Sequence, residues 1–215
     1  MIEVRYCDIS GLTQELFDGY LQMLPANLRD QVMRYRFFAD RAARLIGRLL
    51  LRSALLETGY GPGLLALWEN DANKKPFIKD WMPFNISHAK DLVVLAYCHE
   101  GLVGIDVESR DAKLDIGAFS GCFCPEEQQM INGATDPLEA FLNLWVKKEA
   151  VLKAHGNGIV SGLDQIDCRN DDVSYEHQLW RLARLCLNEK YICYLATDNK
   201  EITVNLECVS LFGFM

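Results

Sequence analysis

Val103-Gly104-Ile105-Asp106-Val107-Glu108, read together with Trp145-Val146-Lys147-Lys148-Glu149-Ala150-Val151-Leu152-Lys153, decides how the rest of this chain is organised. As a β-strand the first stretch puts Asp106 and Glu108 on one face, while Ile105 and Val107 point the other way into a core. As a helix the second stretch makes Glu149 and Lys153 i,i+4 neighbours, so a third carboxylate and an ammonium are presented together. Carboxylates facing one another are destabilising unless a cation or a raised pKa relieves them. Hard oxygen ligands with no thiolate or imidazole beside them favour Mg²⁺, with Mn²⁺ as the alternative. Taken alone, the Glu149 to Lys153 pair reads as an ordinary helix surface pair; joined to Asp106 and Glu108 it reads as part of a site.

Composition sets the frame. The chain has 215 residues, half of them hydrophobic, enough to bury a sizeable core as one large domain or two small ones. Met1 to Ser10 carries charges and no continuous apolar run, so neither a signal peptide nor a membrane anchor is expected, and the cytoplasm is the expected compartment. The eight cysteines then read as reduced thiols, with Cys122 and Cys124 in packing rather than metal-binding roles. A net charge of −8 argues against general nucleic-acid binding. Against that acidic background, Arg29 to Arg52 contains seven arginines and two aspartates. Arg41, Arg44, Arg48 and Arg52 fall at helical spacing, which reads as a solvated face, an anion site, or a docking face for an acidic protein.

Hydrophobic periodicity outlines the elements. Ile2 to Tyr6 reads as a strand, Thr13 to Leu24 as a helix, a second helix precedes Arg36, and Ala39 to Thr58 is a long helix ended by Gly59 and Gly61. Leu65 to Glu69, Phe84 to His88 and Val93 to Cys98 read as strands, and Leu92 to Val107 as a hairpin that delivers Asp106. Short helices are expected around Ile116 and Pro125, then a long one from Pro137 to His155, stopped by Gly156 and Gly158. Strands are expected at Ile166 to Cys168, Gln178 to Leu187, Tyr191 to Ala196 and Ile202 to Val209. This predicts an α+β fold of two similar α/β lobes, 1–101 and 102–215, with no linker marking the boundary near Gly101. Lys148 falls within the apolar arc of its helix and should meet a carboxylate or a phosphate there.

The pattern G-I-D-x-E followed some forty residues later by W-x-K-K-E-A-x-x-K resembles the signature of the 4′-phosphopantetheinyl transferases, in their long, single-chain, surfactin-synthetase-activating class. Asn85-Ile86-Ser87-His88 resembles the family's F-N-x-S-H segment, Lys75-Pro76-Phe77 its K-P-x element, and Phe123-Cys124-Pro125-Glu126-Glu127 its F-x-x-E-E stretch. The resemblance runs from about Arg36 to Gly156. It departs at Val146, where the family has Ser, Thr or Cys. The resemblance implies a pseudo-twofold arrangement with coenzyme A in the cleft between lobes, and transfer of its phosphopantetheine to a serine of an apo carrier protein, commonly an acidic helical domain. It further implies Mg²⁺ on Asp106, Glu108 and Glu149, with Glu149 as the candidate base and Lys153 acting on the phosphates. Arg44, Arg48, Lys75, Ser87, His88 and Lys148 are the implied CoA contacts. A monomer is expected, because the long class carries a whole cleft in one chain. A Mg²⁺-dependent phosphohydrolase acting on a nucleotide or CoA, and a noncatalytic CoA-binding protein, remain as alternatives.

Overall fold

The computed structural model describes residues 1–156, 158 and 162–214. Its elements run β1 (Ile2–Asp8), α1 (Gln14–Leu21), α2 (Ala26–Met33), α3 (Phe38–Glu57), β2 (Trp68–Asn70), β3 (Pro76–Ile78), β4 (Phe84–Ala89), β5 (Leu92–Cys98), β6 (Val103–Ser109), α4 (Pro125–Gly133), α5 (Pro137–His155), β7 (Asp172–Tyr175), β8 (Gln178–Arg184), β9 (Tyr191–Thr197) and β10 (Val204–Cys208). This is the mixed α+β architecture expected.

Three apolar clusters explain the layering. Alternate residues of β5, Val93, Leu95 and Tyr97, pack with Leu45, Ile46 and Leu49 of α3. The other set, Val94, Ala96 and Cys98, joins Val103, Ile105 and Val107 of β6 and Cys193 and Leu195 of β9. The opposite face of β9, Ile192, Tyr194 and Ala196, packs against Val151 and Leu152 of α5. Two sheets thus share an apolar inner layer, with α3 outside one and α5 outside the other. Strands buried on both faces read as near-continuous apolar runs, as β5 and β9 do.

The first sheet has the order β10-β1-β5-β4 and the second β6-β9-β8-β7. In each half the first long strand lies antiparallel to the last, which is followed by its hairpin neighbour. The final strand, β10, returns to pair in parallel with β1.

Local chemistry sets the helix ends. Thr13 Oγ1 accepts from the Leu16 N–H to start α1, and Asp136 Oδ1 accepts from the Glu139 N–H with Pro137 in the first turn of α5. Gly156, at φ 93°, closes α5 in the left-handed conformation that glycine adopts without penalty.

Several expectations are corrected. Leu92 to Val107 is not a hairpin: β5 pairs with β1 and β4, and β6 crosses to the second sheet to pair with β9. Both flanks of β5 are taken, so β6 has no free edge of it to join. Leu65 to Glu69 is a 3₁₀ turn, Pro62–Leu67, leading into the short β2, because Pro62 sits at the start of a helical turn. The first helix ends at Leu21 rather than Leu24. Ile166 to Cys168 forms no strand. The carbonyl of Ile166 is bonded by the Lys148 ammonium and the N–H of Cys168 by Glu127, so a buried ion pair satisfies the groups a ladder would have used. The short, largely polar β7 was not anticipated.

Candidate active site

β6 carries the first two acids as its alternation requires: Ile105 and Val107 enter the inter-sheet layer, and Asp106 and Glu108 face α5. Gly104 makes this approach possible, since a Cβ there would lie 2.2 Å from both the Ala150 carbonyl oxygen and the Ala154 nitrogen. Glu149 and Lys153 descend from α5 onto the same spot. The Lys153 ammonium donates to Asp106 Oδ1 at 2.5 Å and to Ser87 Oγ at 3.1 Å, and the Ser87 hydroxyl donates to Asp106 Oδ1 at 2.8 Å. Asp106 and Glu149 are 4% and 5% exposed, so their charges are held out of water. Asp106 Oδ2 and Glu149 Oε1 are buried and make no hydrogen bond among the described residues. Such orphaned carboxylate oxygens are costly unless a cation meets them.

The acids respond to one another. Burial first, and then the neighbouring Asp106, raise the Glu149 carboxyl above its ordinary value, with Lys153 pulling it back. Glu108 is pushed up to about 7 by burial, Asp106 and Glu149. One ammonium therefore undercompensates three carboxylates. The donor set, all hard oxygen with excess negative charge and two unpaired buried oxygens, fits a divalent ion of the Mg²⁺ kind. Among the described residues a tighter three-residue set, with ligand atoms within 4.8 Å of one another, is Cys124, Glu127 and Asp167. That set is already neutralised: Glu127 pairs with Lys148 at 2.7 Å and Asp167 with Arg169 at 2.7 Å.

A pH dependence follows. Folded, Glu108 holds its proton up to about pH 7, whereas unfolded it releases it near 4.5, so the fold binds the extra proton between those values. Stability supplied by that proton is lost as pH rises through the window. Metal-free protein is expected to melt lower at about pH 8 than at about pH 6, and added Mg²⁺ to raise Tm more at the higher pH. Equal Tm increments at both pH values would contradict the coupling.

Two cavities meet at this site. One, of about 220 Å³, is lined by Lys74, Lys75, Pro76, Asn85, Glu149 and Lys153 among others. The second, of about 430 Å³, includes Lys74, Pro76, Arg44, Arg48, Trp68 and His88. Lys74 and Pro76 border both, so the cavity lined by Glu149 and Lys153 adjoins the one lined by Arg44, Arg48 and His88.

The expected anion contacts divide three ways. Arg44 is exposed over the Tyr35 ring and His88 is half-buried; both line the larger cavity. Burial, then Arg44 and Lys153, lower the His88 pKa, so the imidazole favours its neutral form. Arg48 lines it too, but its guanidinium stacks on Trp68 and donates to Gln31 Oε1 and the Arg44 carbonyl at 3.0 Å each. Lys75 reaches the smaller cavity yet gives its ammonium to the Ala154 carbonyl at 2.8 Å, capping α5. Lys148 is different. It is fully buried, bonded to Glu127 and to the Leu163 and Ile166 carbonyls, so it locks α5 to α4 and the following loop and cannot serve as a cleft contact. The carboxylate partner anticipated for it is present, but the CoA contact is corrected. Val146, the residue departing from the motif, is fully buried on the inner face of α5.

Asn85, within the Asn85-Ile86-Ser87-His88 motif, has a structural role that sequence does not reveal. Its Oδ1 accepts from the Ile105 N–H at 2.9 Å, fastening β4 to β6 immediately before Asp106 and setting Ser87 against it. Asn85→Ala leaves that buried N–H unpaired and is expected to cost about 1–3 kcal/mol, read by chemical denaturation. An unchanged midpoint would remove Asn85 from this role.

Two family models match, one described as the 4′-phosphopantetheinyl transferase superfamily over residues 102–201, the other as 4′-phosphopantetheinyl transferase, N-terminal, over 12–100. The chain belongs to the 4′-phosphopantetheinyl transferase superfamily. Similar curated proteins agree. 4′-Phosphopantetheinyl transferase psf-1 of Bacillus pumilus is 33% identical over 63% of this chain and 59% of its own length. 4′-Phosphopantetheinyl transferase gsp of Aneurinibacillus migulanus is 28% identical over 74% and 68%. A phosphopantetheinyl transferase of Thraustochytrium sp. is 33% identical over 68% and 57%. The matched part of the chain thus spans between 57% and 68% of these relatives. The superfamily model covers both the Asp106 strand and the Glu149 helix, while the N-terminal model covers the arginine helix and Ser87. No helix among the described residues is long and apolar enough to cross a membrane.

Proposed function

We propose that this chain transfers the 4′-phosphopantetheine group of coenzyme A to a serine hydroxyl of an apo carrier protein, releasing 3′,5′-ADP. The observation that carries this reading is the set of buried Asp106 and Glu149 and half-buried Glu108, with Lys153 and Ser87 against Asp106, beside a cavity lined by Glu149 and Lys153 that shares Lys74 and Pro76 with one lined by Arg44 and His88. A pyrophosphate-containing ligand matches that charge order. The serine oxygen attacks the phosphorus next to pantetheine, and the bond from that phosphorus to the 3′,5′-ADP oxygen breaks.

Glu149 takes the serine proton, directly or through a water. Its raised pKa, from burial beside Asp106, makes it a stronger base than an ordinary carboxylate. Asp106, Glu108 and Glu149 would hold Mg²⁺, or Mn²⁺ in its place, which supplies charge neutralisation at the pyrophosphate. Lys153 adds a point charge to the same phosphates, His88 donates a hydrogen bond to anionic oxygen, and Ser87, which donates to Asp106 and accepts from Lys153, orients both.

We further assign lobes 1–101 and 102–215 as halves of a pseudo-twofold. The common three-strand orders β1-β5-β4 and β6-β9-β8 support this, as does the junction of the two family models between residues 100 and 102, with β10 crossing back from the second half to edge the first sheet. A monomer acting in the cytoplasm on an acidic helical carrier domain completes the reading, with the exposed Arg44 consistent with an acidic partner.

A hydrolase would use the same acids and lysines. The two are separated by incubating the protein with CoA and Mg²⁺ and measuring 3′,5′-ADP. Release only when apo carrier is present supports transfer; equal release without carrier supports hydrolysis and overturns the proposal.

A further inference from the structure

Helix α5 rests on β6 at Gly104, whose lack of a side chain lets the backbone of Ala150 and Ala154 come down onto the strand. Backbone against backbone is a smooth contact, and it does not by itself fix how far the helix is rolled about its axis. The roll decides where Glu149 lies, because that side chain hangs from one flank of α5 beside Asp106. A helical side chain ends about 6 Å from the axis, so a roll of about 10–15° moves a carboxylate by about 1–1.5 Å.

The other flank is gripped from β9. Tyr194 is the cross-strand partner of Asp106, so both side chains leave the same face of the sheet, toward α5. Its ring is buried in the cluster beneath α5, its hydroxyl donates to Asn143 Oδ1 at 3.1 Å, and the Lys147 ammonium lies 5.3 Å from the ring centroid. Asn143 and Lys147 are an i,i+4 pair, and Glu149 stands about 120–160° round the helix from them. Each is held from behind as well: Asn143 Nδ2 donates to the Glu139 carbonyl at 2.8 Å, and Lys147 pairs with Asp171 at 2.8 Å and donates to the Cys168 carbonyl at 3.3 Å. Burial raises the Tyr194 pKa, so the hydroxyl keeps its proton and remains a donor. Lys148 ties α5 to α4 and the loop beyond it, whereas Tyr194 ties α5 to the strand beside the one that carries Asp106.

We propose that Tyr194 is a positioning residue for phosphopantetheine transfer: by holding Asn143 and Lys147 it sets the roll of α5, and with it the approach of Glu149 to Asp106. This rests on the transferase reading above and adds to it a residue that lines neither of the two cavities. A misplacement of about 1 Å at reacting groups can cost about a hundredfold in rate, so one hydroxyl on the far flank of the helix has leverage on the chemistry.

The test uses the full chain with Tyr194→Phe, Asn143→Ala and the two combined. Each single variant keeps the ring and removes the bond between them, and the double variant has no further bond of that pair to lose. Transfer to an apo carrier with CoA and Mg²⁺ is measured well below the unfolding temperature of every variant. Expected is a kcat lower by about five- to twentyfold in each single variant, with KM for CoA within about twofold of wild type. The double variant is expected to be no more than about twofold slower than the slower single one. Calorimetric titration with Mg²⁺ gives a readout apart from turnover, and affinity about two- to fivefold weaker than wild type is expected in Tyr194→Phe. A kcat within twofold of wild type whatever the change in Tm, an unchanged Mg²⁺ affinity, or single losses that multiply in the double variant overturns the assignment of Tyr194 and leaves the transferase reading standing. A wild-type protein that leaves the carrier unmodified overturns the transferase reading and this inference with it.

Discussion

Glu149→Gln is expected to lower the rate of phosphopantetheine transfer by about a thousandfold or more while CoA affinity stays within about threefold of wild type. The substitution keeps the shape of a side chain that is almost wholly buried and removes only its charge and basicity. Glu149 Oε1 has no hydrogen-bond partner among the described residues, so the amide breaks no bond at that atom. On the proposed reading, what disappears is the proton acceptor for the carrier serine and one of the three negative charges at the proposed cation site. On the proposed reading CoA is held chiefly by the Arg44 and His88 side of the site, which the substitution leaves untouched. Single-turnover transfer with saturating CoA measures the first quantity and calorimetric titration with CoA the second. A variant that transfers at near the wild-type rate would remove Glu149 from the chemistry; one that loses CoA binding in proportion would make it a binding residue.

Gly104→Ala is expected to have the largest effect on stability. A methyl group there would stand 2.2 Å from a backbone oxygen and a backbone nitrogen of α5, and backbone cannot swing aside as the end of a side chain can. Relief requires α5 to move away from β6, which separates Glu149 and Lys153 from Asp106 and opens the packing beneath. The cost is put at about 3 kcal/mol or more, a fall in Tm of roughly 6–12 °C for a chain of this size. Thermal unfolding followed by circular dichroism checks it. A Tm within about a degree of wild type would mean that β6 and α5 are not held as closely as described.

What could be read from sequence, and what could not, follows from the range of the interactions. The alternation in Val103 to Glu108 and the spacing of Glu149 and Lys153 are local, and both placed their side chains correctly because a strand period of two and a helix period of 3.6 leave little freedom. The caps of α5, Asp136 and Gly156, are equally local. The hairpin assigned to Leu92 to Val107 failed because apolar content does not say which sheet a doubly buried strand joins. The strand expected at Ile166 to Cys168 failed because Glu127 and Lys148, distant in sequence, take its backbone groups. Lys148 itself was recognised as buried and in need of a partner, but helical spacing cannot tell a carboxylate of the interior from a phosphate in a cleft. Lys75 and Lys74 are neighbours in sequence, and only the turn imposed by Asp71 sends one ammonium to the end of α5 and leaves the other at the cleft.

The central claim is that Asp106, Glu108 and Glu149 hold a divalent ion for transfer from CoA to a carrier serine, and intact mass spectrometry of the carrier tests it most directly. An apo carrier protein is incubated with this chain, CoA and Mg²⁺, with parallel samples containing EDTA or the Asp106→Ala variant. The account predicts a gain of one phosphopantetheine in the complete reaction and none in either parallel sample. A gain that persists in EDTA and with Asp106→Ala, or no gain on any of several carriers by a protein that binds CoA, would contradict it.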